Sequence, residues 1–404
     1  MAATNPVSSR LAAFTAAALA LPGMTPKAQA EGLNPEIDTA FSRYEESDNR
    51  MRVDVYQAVG SLAIGDRWTV KANGVKDVVS GASPVANGFA GKQLAQIRSR
   101  ASIRDVRDEV DLSANYAFDE GSAGVNVGRS SENDYTSDFF NIDGRWDVND
   151  NLTTLAAGFG FASDQVWAVT NTGKGQHERV PGLGGDKSTF QSLLGVTQVL
   201  DKNSLLQANL TYTHNEGYLA DPYKYALVLA PSPAVVCDPG YALFGCYTLD
   251  SRPSNRDQFN VLLRYVRNFG DLNAAALHLD YRFYADTWDI SAHTFEATWY
   301  QPIYDGWMLN PHVRYYSQCA AEFYQPYFAT ARSDGHYSTD YRMADFGAVS
   351  GGAQLSKELL DRLRIAAAVD FYRREQGYGM QKGAGTALDN FSYSVFTVSL
   401  DLKF

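Results

Sequence analysis

Beyond residue 30 the chain has no run of about 18 consecutive apolar residues, so no segment can cross a bilayer as a helix. Cysteine is scarce, with only Cys237, Cys246 and Cys319, and the six His are dispersed, so no metal motif and no metal ligand is expected. No Pro-rich linker divides the 404 residues, as a soluble all-β chain of this size would ordinarily require. A Gly-x-Ser-x-Gly elbow, a His-Glu-x-x-His pair and a phosphate-cradling glycine loop are all missing. No cofactor and no catalytic residue is therefore assigned, and the chain is not expected to be an enzyme. Positive charge is in deficit, with 35 Lys and Arg against 46 Asp and Glu, and the net charge of -11 opposes nucleic acid as a partner.

What the chain does have is 24 Tyr, 21 Phe, 6 Trp and 33 Gly. Counting back from Phe404, every second residue is apolar as far as Phe396. Phe396, Val398, Leu400, Leu402 and Phe404 share one face, and polar residues occupy most of the other. A terminal strand closed by an aromatic residue looks like the assembly signal of bacterial outer-membrane β-barrels, and in such barrels only alternate residues meet lipid. The N-terminus agrees. Residues 1–30 carry Arg10, an apolar stretch from Leu11 to Leu21 and a small-x-small end at Ala28-Gln29-Ala30, as a cleavable secretory signal would. Residues 31–404 are then one outer-membrane barrel, exported through the Sec pathway.

Short polar turns recur at Asp119–Gly121, Asn149–Asn151, Asp201–Asn203, Phe269–Asp271, Tyr304–Gly306 and Lys357–Arg362. Longer irregular segments fall near 77–99, 164–187, 216–253, 319–337 and 376–389. Short periplasmic turns and long extracellular loops are the outer-membrane pattern. Strands in the gaps give an all-β, antiparallel up-and-down barrel of about sixteen strands, with fourteen as the alternative. Within the strands, Phe259, Val261, Leu263 and Tyr265 oppose Gln258, Asn260 and Arg264. Likewise Leu277, Leu279, Tyr281 and Phe283 oppose His278, Asp280 and Arg282. In 287–301, Ile290 and Phe295 fall on opposite parities, and a bulge would reconcile them. Trp68, Tyr116, Trp146, Trp299 and Trp307 are expected at the membrane interfaces.

A sixteen-strand barrel is wide enough for an aqueous channel unless its loops fill it. The inward positions carry Arg145, Arg264, Arg282, Arg314 and Arg364 against Asp111, Asp143, Asp280 and Asp370. They either form a field across the lumen that favours small charged solutes, or pair with one another and keep the lumen wet. Cys237 and Cys246, nine positions apart in the longest loop of an exported chain, are expected to form a disulfide.

Several loop strings are unusually structured: Asp77-Val-Val-Ser-Gly-Ala-Ser-Pro84, Gly217-Tyr-Leu-Ala-Asp-Pro-Tyr-Lys224, Arg252-Pro-Ser-Asn-Arg256, Tyr315–Tyr324 and Ser338-Thr-Asp-Tyr-Arg342. The first should form a fixed turn. Together these strings resemble a family of Gram-negative outer-membrane β-barrel proteins of unknown function, over roughly Arg43 to Phe404. The resemblance implies class and location and assigns no catalytic residue. It also implies a neighbourhood of envelope thioredoxin-like and flavin-transfer proteins.

Three functions are then open. The first is a channel for small hydrophilic solutes, with segment 216–253 as constriction or lid. The second is a plugged barrel that holds an envelope partner, for example a redox component. The third is a membrane-embedded hydrolase, which needs Ser, His and a polar orienter on neighbouring strands facing lipid. In each case the partners include outer-membrane lipid and the barrel-assembly machinery.

Overall fold

Period-two alternation makes strands, and strands in lipid must close on themselves so that no backbone N–H or C=O is left unpaired. The computed structural model describes residues 34–47, 50–98, 103–171, 177–241, 245–360, 362–380 and 390–404. The expected signal segment, residues 1–30, lies outside them. Among the described residues no helix is long and apolar enough to cross a membrane. The barrel begins with β1 (Asn34–Glu46), β2 (Met51–Ile64) and β3 (Trp68–Gly81). It continues through β6 (Ile103–Phe118), β7 (Gly121–Ser131), β8 (Tyr135–Val148), β9 (Thr153–Asn171) and β10 (His177–Asp201). Then come β11 (Ser204–Gly217), β14 (Asn255–Phe269), β15 (Ala275–Asp286), β16 (Ser291–Pro302) and β17 (Trp307–Gln318). Finally β19 (Phe346–Leu359), β20 (Leu363–Glu375) and β21 (Phe391–Lys403) return to β1, with Phe41 opposite Val398. This is a closed transmembrane barrel of sixteen antiparallel strands with short periplasmic turns and long extracellular loops.

Among the described residues, five more strands lie in the loops. They are β4 (Pro84–Ala90), β5 (Gln93–Arg98), β12 (Tyr225–Ala230), β13 (Cys246–Leu249) and β18 (Phe328–Thr330). They form a β4–β5 hairpin and a three-stranded sheet in the order β13-β12-β18.

Side-chain placement follows the alternation. Phe396, Val398 and Leu400 face outward and are exposed, as is Phe404, and Leu402 shares their face. Trp68, Tyr116, Trp146, Trp299 and Trp307 all sit near the periplasmic ends of their strands, so they form one girdle and not two. Trp68 packs against Tyr116 with ring centroids 4.9 Å apart, and Trp299 against Phe269 at 5.4 Å, both pairs tilted.

Three expectations need correction. Segment 164–187 is mostly wall, because β9 and β10 run on past the rim as a long hairpin. No bulge occurs in β16, which holds one register against both neighbours. Ile290 instead precedes the strand and packs in an apolar cluster with Trp288, Phe323 and Met343. Asp77–Gly81 is the end of β3 rather than a turn. The Asp77 carboxylate reaches across to Arg107 at 2.5 Å instead of capping local backbone, and only Ala82 and Ser83 turn the chain.

Candidate functional site

Three extracellular loops fold together over the mouth, and apolar residues spaced along them supply the reason. Ala226, Val228, Phe328 and Tyr337 form one buried cluster. Ala86, Leu227 and Tyr247 form another, on the opposite face of β12. Alternate residues of β12 thus fill two layers, as alternation requires. Asn87 Nδ2 donates to the Pro326 carbonyl at 3.0 Å, and Tyr247 Oη donates to the Asn87 carbonyl at 3.2 Å. Cys237 and Cys246 are joined by a disulfide that ties the connecting segment to β13.

Beneath this cap, segments 218–224 and 338–345 run across the bore. Tyr223 Oη donates to Asp134 Oδ2 at 2.8 Å above β8 and accepts from the Val169 N–H at 2.9 Å on β9. The next residue, Lys224, donates its Nζ to the Pro84 carbonyl at 2.7 Å. Gln318 Nε2 donates to the Ala344 carbonyl at 2.6 Å, and the Tyr341 ring lies 4.7 Å from the Arg374 guanidinium on β20. The two segments therefore bridge opposite parts of the wall.

An ionic knot holds them to each other. Asp340 accepts from Arg252 Nη2 at 2.9 Å and from Arg342 Nε at 2.7 Å. Arg342 also reaches Asp221 at 2.6 Å, and Arg252 reaches Asp250 at 2.6 Å. Burial alone would raise the Asp340 carboxyl, but Arg342, Lys224 and Arg252 outweigh it and hold it far below the usual range. Asp221 is likewise lowered, because Lys224 and Arg342 overcome its burial. Asp250 goes the other way, since burial dominates there and raises it. Such a knot contributes little over apolar packing, yet loss of one partner leaves a buried charge uncompensated. The sequence strings held five of these six residues, Asp221, Lys224, Arg252, Asp340 and Arg342, but not Asp250. Their pairing was not legible, because they lie up to 121 positions apart.

A second acidic group was also missed. Asp105, Glu132 and Asp134 place one carboxylate oxygen each within 4.8 Å of the others. Burial, then Asp134 and Asp105, push Glu132 up to about 8, so one of the three like charges is absent near neutral pH.

The nine charged residues expected in the lumen all face it, but they divide. Arg264 grips Asp280 with two hydrogen bonds of 2.7 and 2.5 Å. Arg145 pairs with Asp147 at 3.2 Å, and Arg364 donates to Ser356 Oγ at 3.3 Å. Asp370 meets His312 Nε2 at 2.6 Å, and Asp111 accepts from Asn73 and Asn126. Asp143 faces the same interior beside Gly124. Arg282 and Arg314 differ. Both are exposed to the bore, and among the described residues neither has an ion pair or hydrogen bond. They line a cavity of ≈ 720 Å³ directly under the cap, whose wall also includes Tyr316, Tyr372 and Tyr393 and whose roof includes Asp221 and Arg342.

On the lipid side, His214 Nδ1 and Tyr212 Oη both meet Asp257 Oδ1 at 2.7 Å, at the extracellular end of β11 and β14. Among the described residues no serine hydroxyl is hydrogen-bonded to this His.

The chain belongs to the family described as "Protein of unknown function (DUF3570)", whose profile matches residues 11–395. No match was found among curated proteins. Among solved structures, CdiB from Acinetobacter baumannii is similar at 8% identity and a TM-score of 0.50, over 92% of this chain and 60% of CdiB. The CymD monoaromatic hydrocarbon channel gives 11% identity and 0.43, over 94% of this chain and 90% of that one. The outer membrane protein OpdK from Pseudomonas aeruginosa gives 10% and 0.42, over 93% and 100%. Similarity at this level concerns the barrel fold alone.

Proposed function

We propose that this protein is an outer-membrane channel that passes small hydrophilic solutes, with an extracellular mouth narrowed by its own folded loops. One observation carries the reading: a chamber with two arginines unpaired among the described residues opens directly beneath segments anchored to opposite sides of the wall. A chamber filled only for solubility would pair its charges, as Arg264 and Asp280 do.

On this reading the chain acts without catalysis. The His214–Asp257 pair serves to tie β11 to β14 at the rim. Residues 1–30 direct Sec export, and the face from Phe396 to Phe404 is read by the barrel-assembly machinery. A second reading is favoured by the buried packing of the cap: the barrel is closed at rest and docks an envelope partner, with conduction absent.

Liposome swelling with neutral sugars and organic anions of graded size separates the two. Size-dependent swelling is expected of the channel. Liposomes that remain impermeable to every solute would overturn it in favour of the closed scaffold.

A further inference from the structure

We propose that the chamber beneath the cap binds a small aromatic carboxylate, held at its charged end by Arg282 and Arg314 and along its ring by Tyr372 and Tyr393. This rests on the channel reading and names the solute class it would select.

The placement follows from strand register. Arg282 on β15 lies opposite Thr294, which lies opposite Tyr316 and then Ala348. One row away, Arg314 on β17 lies opposite Ser350, then Tyr372, then Tyr393. These two lumenal rows put both cations at one end of a strip of wall and an aromatic pair at the other. Tyr372 and Tyr393 are stacked, with centroids 4.5 Å apart and planes at 14°. Ala348 and Ser350 are small, so the wall between the two ends is open to a ligand.

Charge accounting points the same way. The other basic side chains of the chamber are engaged: Lys187 with Asp164, Arg256 with Asp286, Arg252 and Arg342 in the ionic knot, and Arg374 against the Tyr341 ring. Asp280, the acid nearest Arg282 along its strand, is occupied by Arg264. Glu296 stands opposite Arg314 in the register, yet forms no ion pair within 4.0 Å among the described residues. Two guanidinium groups that share a confined space repel each other, and a bidentate carboxylate relieves both. The flat ring faces beside them suit a planar organic body better than a bare inorganic ion.

The test uses the full-length purified protein in detergent with benzoate as probe. Acetate and benzyl alcohol separate the carboxylate from the ring. Binding is read by titration calorimetry and by quenching of tryptophan fluorescence, because Trp288 lines the chamber. Heat-modifiable gel mobility confirms that each variant is a closed barrel.

Benzoate is expected to saturate, to outcompete acetate, and to lose about tenfold or more in affinity in R282Q and in R314Q. R282K should retain part of it, and Y372L should bring benzoate down to the level of acetate. Benzoate that binds the R282Q/R314Q double variant as well as the parent, or does not bind the parent, would overturn the site. Acetate binding as tightly as benzoate would overturn its aromatic half. Conductance measured alongside keeps the two ideas apart. Conduction without arginine-dependent binding refutes the site alone, and arginine-dependent binding in a silent barrel refutes the channel alone.

Discussion

At the residue scale, Asp340 is the most consequential side chain in the cap, because it accepts from two arginines and is fully enclosed. Asp340→Asn removes one charge and leaves Arg252 and Arg342 under-compensated, a loss on the order of 3–5 kcal/mol for a buried network. The expected result is a cap that opens while the barrel stays folded. It would be read as rapid protease cleavage within 218–254, with heat-modifiable mobility retained. The pH dependence has a definite sign. Asp340 and Asp221 are depressed in the folded state, so their contribution is whole above the unfolded value near ~4 and is lost as the pH falls through their lower folded values. Pepsin digestion across mild to strong acid should therefore find the cap intact first and cut only at the acid end. Asp250, raised by burial, works against this trend and reduces its size.

Gly352 is a second telling residue. A Cβ there would come 2.2 Å from the Val369 carbonyl and 2.5 Å from Asp370 Oδ1, just where Asp370 crosses to His312. Gly352→Ala should displace the carboxylate and break its 2.6 Å contact with His312, read as a changed His312 imidazole chemical shift at one fixed pH. An unmoved signal would show that the pair does not depend on this close approach.

At the element scale, β21 tests the alternation directly. Val398 faces lipid and Thr397 faces the lumen, one residue apart. Val398→Lys should cost about 2–4 kcal/mol near the membrane midplane and reduce folded yield, whereas Thr397→Lys should be tolerated. Equal effects would contradict the register. Phe404→Asn should impair insertion through loss of the terminal aromatic, measured as outer-membrane yield. In the cap, Cys237→Ser should leave Cys246 open to alkylation in the oxidised protein, whereas the parent keeps it protected. Much at this scale was legible from the residues, because a period of two is written locally. The strand count, the outward faces and the short turns all followed from neighbours in sequence. Segment 164–187 misled because its Gly and charged residues look like a loop, while the β9–β10 pairing that makes it a hairpin is a property of two strands. Ile290 misled because its partners, Phe323 and Met343, come from a distant loop.

At the scale of the whole molecule, function depends on whether the loops narrow the bore or seal it. That was the part the sequence left open. Lys224 and Pro84 are 140 positions apart, and Arg252 and Asp340 are 88 apart, so the straps across the mouth could not be read from local pattern. The lumenal arginines were visible by parity, but which of them lacks a partner depends on cross-strand register. Residues 225–249 form the β12–β13 arm, and its base is closed by a 2.8 Å bond from the Asp250 N–H to the Lys224 carbonyl. A short linker can therefore replace the arm without stretching the knot.

Single-channel recording in a planar bilayer, comparing the intact protein with this arm-deleted form, distinguishes a narrowed bore from a sealed one. A channel narrowed by its loops should give small, steady, anion-selective conductance in the intact protein and a larger ohmic conductance after deletion. Electrical silence from both forms would contradict it.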